Sequence, residues 1–90
     1  MKNLSELKKR IVLGTKIVKV DCCHARFKPE TIGKIRTVDR VQTNAFTMDG
    51  SWIYWQKTTD YEFGDNWFSV YWTGHEHTHD NLIGKYEIIE

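Results

Sequence analysis

No apolar run in this chain approaches the length needed to cross a bilayer, which argues against a membrane-spanning helix. There is no glycine-rich loop of the phosphate-cradling kind and no Gly-x-Ser-x-Gly elbow, so the common signatures of nucleotide hydrolysis and serine-type hydrolysis are missing. Internal repeats, low-complexity stretches and linkers are absent too. Proline occurs once, and cysteine only as the neighbours Cys22 and Cys23. Adjacent cysteines make a poor disulfide, because the closed ring is strained. The opening stretch MKNLSELKKRI mixes acidic and basic residues and lacks the apolar core and cleavage site of a secretory signal. The expected compartment is the cytoplasm, where both cysteines are thiols.

What is present fits a single domain over residues 1–90. The chain is 40% hydrophobic and 28% charged, a globular rather than a disordered composition. A domain this small buries about 60–65% of its unfolded surface and is marginally stable. A structural metal is one common remedy. The net charge of +1 hides an asymmetry. Residues 1–45 hold eleven Lys/Arg against four Asp/Glu, and residues 46–90 hold two against eight. Such a split marks either a charged partner or two halves that mix on one folded surface.

The pattern predicts a short helix over about 4–12, with Leu4, Leu7 and Ile11 on one face, Lys8, Lys9 and Arg10 on the other, and Ser5 or Asn3 as cap. Gly14 stops it. TKIVKVDCC reads as a first strand with Val18, Val20 and Cys22 on one face. HARFKPETIG reads as a loop. KIRTVDRVQTNAFTM gives strand with a bend near Thr43 and Asn44, and Asp49-Gly50 is a hairpin turn leading into SWIYW. QKTTDYEFGDN reads as a polar loop, so Asp60, Glu62 and Asp65 are read as solvated rather than as an acid–base pair. WFSVYW and LIGKYEIIE complete the strands. The expected fold is mostly β (α+β): a short N-terminal helix, then a small five- or six-stranded antiparallel barrel of the Src-homology-3 kind.

All six soft metal ligands fall in two clusters: Cys22, Cys23 and His24 in VDCCHAR, and His75, His77 and His79 in GHEHTHD. Cys sulfur with His nitrogen is the donor set of tetrahedral zinc. Residues two apart on an extended strand point to the same side. Cys22 with His24, and His77 with His79, are such pairs, and together they form the expected structural zinc site. Cys23 and His75 stand in reserve. The alternative is a small core cysteine and a surface loop of histidines. His75, Glu76 and His79 also match H-E-x-x-H, but that motif binds zinc from a helix. Here Gly74 precedes it and Asp80 and Asn81 follow, so helix is disfavoured and a metalloprotease is not the expectation.

Aromatic residues are dense between Trp52 and Trp72. In SWIYW, Trp52 and Tyr54 point one way and Ile53 and Trp55 the other, so one face is core and the other half exposed. Exposed Trp and Tyr mark a protein interface or a base-stacking platform. The second option, with Lys8, Lys9, Arg10, Lys34, Arg36 and Arg40, makes a small nucleic-acid-binding module the rival function.

The segments IGKIRTVDRVQTNAFTM, SWIYWQKTTDYEF and NWFSVY resemble small accessory proteins of phages and prophages of Gram-positive, streptococcal-type bacteria. In these, a Val-Gln-Thr-Asn stretch like residues 41–44 precedes a Ser-Trp strand like residues 51–52. The resemblance covers roughly residues 5–73 and carries over no catalytic residue; DCCH and HEHTH are not part of the pattern. Phage proteins of this size include type II-A anti-CRISPR inhibitors. The resemblance therefore implies a non-enzymatic protein that binds a host protein, the RNA-guided effector nuclease or its guide-RNA complex.

Overall fold

The computed structural model describes residues 1–22, 29–55, 60–71 and 82–90. Asn3, rather than Ser5, caps helix α1 (Leu4–Arg10): its side-chain oxygen accepts the Glu6 N–H at 2.9 Å. This satisfies one of the donors that every helix start leaves open. The expected apolar stripe holds, since Leu7 and Ile11 are fully buried and Leu4 packs beside them.

Seven strands follow: β1 (Lys16–Asp21), β2 (Ile35–Val41), β3 (Ala45–Met48), β4 (Ser51–Tyr54), β5 (Asp60–Phe63), β6 (Trp67–Tyr71) and β7 (Leu82–Ile89). A short 3-10 helix, Pro29–Thr31, precedes β2. The strands form one sheet in the order β4-β3-β2-β1-β7-β6-β5, and every pair is antiparallel. The mostly β reading stands, with two differences. The strand number is seven rather than five or six, and the ladder is not closed, because edge strands β4 and β5 do not pair. The added strand is β5, inside the segment read as a polar loop. Tyr61 and Phe63 alternate there with Asp60 and Glu62, and the two rings pack against the core. A polar outer face masked an ordinary half-buried strand.

The sheet curls, and aromatic rings bring its distant parts together. Phe46 of β3 stands edge-on to Phe68 of β6 at 6.4 Å and lies 5.0 Å from Trp55. Trp55 reaches Tyr61 of β5 at 6.4 Å, and the Tyr61 hydroxyl donates to the Tyr54 carbonyl at 3.4 Å. Helix α1 lies at one end of the curl. Arg10 donates to the Asp65 carbonyl, to Asn66 and to Glu90, and the Met1 amino group donates to the Gly64 carbonyl at 2.7 Å.

In β1 the face shared by Val18 and Val20 is the outer one. Ile17 and Lys19 are buried, while Val20 is 37% exposed and Val18 half-buried. The neighbours set this parity: Ile17 pairs with Ile88 and Lys19 with Tyr86, both inward-facing residues of β7. A strand that shifts by one residue exchanges its two faces. The β3–β4 turn is as expected, with Asp49 at φ 50° and Gly50 at φ 83°, the doubly left-handed geometry that Asp-Gly favours.

Candidate functional site

Of the six soft ligands, only Cys22 lies within the described residues; Cys23, His24, His75, His77 and His79 lie outside them. Among the described residues no three His, Cys, Asp or Glu side chains are grouped to hold a metal. Cys22 is half-buried just past β1, and its N–H donates to the Asp21 carboxylate at 2.7 Å. The topology bears on the two clusters through their roots. Asp21 at the end of β1 pairs with Lys85 of β7, and Leu82 at the start of β7 pairs with Tyr71 at the end of β6. The chain therefore leaves β1 and β6, and enters β7, at one end of three adjacent strands.

A second site lies on β2, β3 and β4. Trp52 and Tyr54 project from edge strand β4 and stack with centroids 5.8 Å apart. They are 37% and 41% exposed, whereas Ile53 and Trp55 on the opposite face are buried. The SWIYW alternation thus divides into core and surface as its spacing predicts. Thr47 pairs with Trp52 on one side and with Arg40 on the other, so one row across three strands reads Arg40, Thr47, Trp52. A shallow groove of about 320 Å³ runs beside it, lined by Asp39, Arg40, Thr47, Gly50 and Trp52. The Thr47 hydroxyl donates to the Asp39 carboxylate, which fixes the groove floor.

A third feature went unread in the sequence. Lys19 and Arg36 are 3% and 7% exposed, at inward-facing strand positions. They line a cavity of about 270 Å³ with Tyr86, Ser51, Thr31 and Trp52 among its walls. The Lys19 ammonium lies 6.0 Å from the Tyr86 ring centroid. Burial lowers the Lys19 pKa; Cys22 opposes that and Arg36 adds to it. The only signal in the sequence was parity: Arg36 and Val38 share a face, as do Ile17 and Lys19.

Burial also pushes the Tyr86 hydroxyl up from 10.0 to about 12, with Arg36 opposing. A raised folded pKa means that the folded state holds this proton more tightly than the unfolded chain does. The associated stability is complete below about pH 10 and is lost as pH rises towards 12. An alkaline titration followed by tyrosinate absorbance should show Tyr86 ionising last, together with unfolding. Tyr86→Phe should remove that late step. Gly84 leaves room for this side chain: a Cβ there would sit 2.8 Å from the Tyr86 Cζ and hydroxyl.

The basic residues named for nucleic acid are not equally available. Arg36 is buried, Arg10 is paired with Glu90 at 3.1 Å, and Lys8 lies 5.6 Å from the Trp55 ring centroid. Arg40 stays beside Trp52. No helix among the described residues is long and apolar enough to cross a membrane. No protein-family model, curated protein or solved structure matches this chain.

Proposed function

We propose that this chain is a non-enzymatic binding protein that docks on a host defence protein and inhibits it. The phage-type resemblance of residues 5–73 narrows the partner to a type II RNA-guided effector nuclease or its guide-RNA complex. The observation that carries the binding reading is the exposed Trp52–Tyr54 stack on edge strand β4, beside Arg40. Trp, Tyr and Arg are the residue types that dominate interface energies, and they do so where they cluster on a rigid scaffold. A sheet edge also presents main-chain groups to a partner strand. The curled sheet is best read as a variant of a Src-homology-3-type barrel, with the aromatic contacts from Trp55 to Tyr61 standing at the seam.

The test is binding of the purified chain to the guide-loaded nuclease. Trp52→Ala with Tyr54→Ala should weaken binding at least about a hundredfold, at about 2 kcal/mol or more for each hot-spot residue. Melting should hardly change, because both rings are surface residues. Equal affinity of the double variant would remove this face from the proposal. A nucleic-acid module has some support from the Arg40–Trp52 row. It requires affinity for free DNA or RNA that falls steeply as salt rises. The partial occupation of the other basic residues makes it the second reading.

We also propose a structural zinc held by Cys22, His24, His77 and His79. Its support is the donor chemistry and the common end of the sheet from which both segments depart.

A further inference from the structure

We propose that a strand of a partner protein adds to the free edge of β4 and places one acidic side chain, Glu or Asp, in the cavity against Arg36. This deepens the binding reading above and rests on it. Of the two sheet edges, β5 carries Asp60 and Glu62, the kind of charge that keeps foreign strands away, whereas β4 carries no charge and no proline. The register shows which main-chain groups of β4 point outward. Thr47 stands opposite Trp52 and Ala45 opposite Tyr54, in one unbroken register. The Trp55 N–H donates to the Asn44 carbonyl at 2.7 Å, and bonded positions alternate along an antiparallel pair. Ser51, Ile53 and Trp55 are thus the residues bonded to β3. The Trp52 N–H and carbonyl face away from β3, into the space that a next strand would fill.

The residue of an added strand opposite Trp52 extends the outer row Arg40, Thr47, Trp52. Its two chain neighbours point to the other face, beside Ser51 and Ile53. Ser51 and Ile53 line the cavity of about 270 Å³ that Arg36 also lines. Arg36 is 7% exposed, its Nε is buried with no hydrogen-bond partner, and no carboxylate among the described residues forms an ion pair with it. Its guanidinium does bond the Tyr86 hydroxyl, which is a neutral partner. Lys19 in the same cavity has its own partner, Cys22, whose attraction opposes the effect of burial. One cation is left to be matched, and a single carboxylate matches it. A buried cation is costly without a counter-charge, and the guanidinium fork suits carboxylate oxygens. Met48, Ile53 and Ile83 offer apolar wall to the stem of that side chain. A strand with an acid at an inward position meets both demands from one chain, with main-chain bonds at Trp52 and a counter-charge at Arg36. The β4 strand of a second copy has no acid to offer.

Nuclear magnetic resonance of the isotope-labelled full chain tests this with two end-blocked hexapeptides, one alternating Val and Glu, the other Val and Gln. The expected result with the Glu peptide is a saturable shift of the Trp52 amide and of the Arg36 Nε–H signal. The Gln peptide should bind about tenfold or more weakly, the scale of a lost charge-assisted bond. Arg36→Gln should level the two peptides. If Arg36→Gln does not fold, Ser51→Asp, at a half-buried wall position, supplies a carboxylate from the chain itself. It should raise the melting temperature and weaken the Glu peptide. With the guide-loaded nuclease, Trp52→Pro should bind several-fold more weakly than Trp52→Ala, because proline removes the outward N–H and an edge strand tolerates it. No shift at Trp52 with either peptide would overturn strand addition. Equal affinity of the two peptides for the unaltered chain would overturn the acid at Arg36, as would undiminished binding of the Glu peptide by Ser51→Asp. Trp52→Pro and Trp52→Ala bound alike, with the double alanine variant still impaired, would leave side-chain docking and remove the added strand. A nuclease that does not bind, beside a Glu peptide that does, would remove the partner named above and support this site. Self-association of the free chain that Arg36→Gln abolishes would give the acid to Asp60 or Glu62 of a second copy and overturn the foreign strand.

Discussion

Phe46→Ala is expected to lose most of the stability of the domain. Phe46 is fully buried and is the ring through which the two limbs of the curled sheet meet, touching Trp55 at 5.0 Å and Phe68 at 6.4 Å. Truncating a buried Phe costs about 3–5 kcal/mol, from lost transfer energy and the cavity left behind. The whole stability of a domain is only about 5–15 kcal/mol, and a small one sits low in that range. At about 4–8 °C per kcal/mol for this size, the melting temperature should fall by about 12 °C or more. The site cannot collapse to fill the void, because Phe46 is held from both sides: Ile53 is its partner in β4 and Val41 its partner in β2. Phe46→Leu keeps most of the volume and should cost clearly less. Calorimetric melting of the two variants checks this, and a shift of only a few degrees for Phe46→Ala would mean that the curl is held elsewhere.

The same residues indicate what a sequence of this kind discloses. Ile53 with Trp55 is an apolar pair at strand spacing, so their shared face was legible; that this face, with Phe46, Phe68 and Val70, is the buried one follows from strand pairing. Tyr61 and Phe63 carried the same spacing, but three acidic residues and a glycine around them looked like loop. Pairing with Val70 and Phe68 decided otherwise, and pairing is a long-range fact. β1 shows the converse. Val18 and Val20 were the stronger apolar signal, yet Ile17 and Lys19 face inward because β7 presents Ile88 and Tyr86 there. Lys19 and Arg36 could not be recognised as a buried pair from the chain alone. Each sits in a strand with alternating character, and only the order β2-β1-β7 brings them to one cavity. The separation of Trp52 and Tyr54 from Ile53 and Trp55, by contrast, needed nothing beyond alternation within five residues; which pair faces outward is decided by the packing of β4 on the core.

Withdrawal of zinc is the other change expected to have a large effect. For a site built from Cys and His that does not pre-exist in the unfolded chain, metal-binding energy is folding energy. Free zinc at 100 to 1,000 times its dissociation constant contributes about 2.7–4.1 kcal/mol. A chelator should therefore lower the melting temperature by about 10–30 °C in a domain of this size. The topology makes a shared site reasonable. Cys22 follows directly on β1, Leu82 opens β7, and the two strands are hydrogen-bonded neighbours. A metal bound by both segments would clamp the ends of β1, β6 and β7 together, beside the cavity that Lys19 lines. Cys22→Ser and His77→Ala should each reproduce the effect of the chelator, and Glu76→Gln should not, since Glu76 is no ligand in this arrangement. Elemental mass spectrometry of the tag-free protein should find about one zinc per chain. Metal-free protein with melting unchanged by chelator would reduce both clusters to surface sequence. Loss of a hydrolytic activity in Glu76→Gln, with zinc retained, would instead move the chain to the metal-dependent hydrolases, where a carboxylate beside a zinc-bound water acts as base.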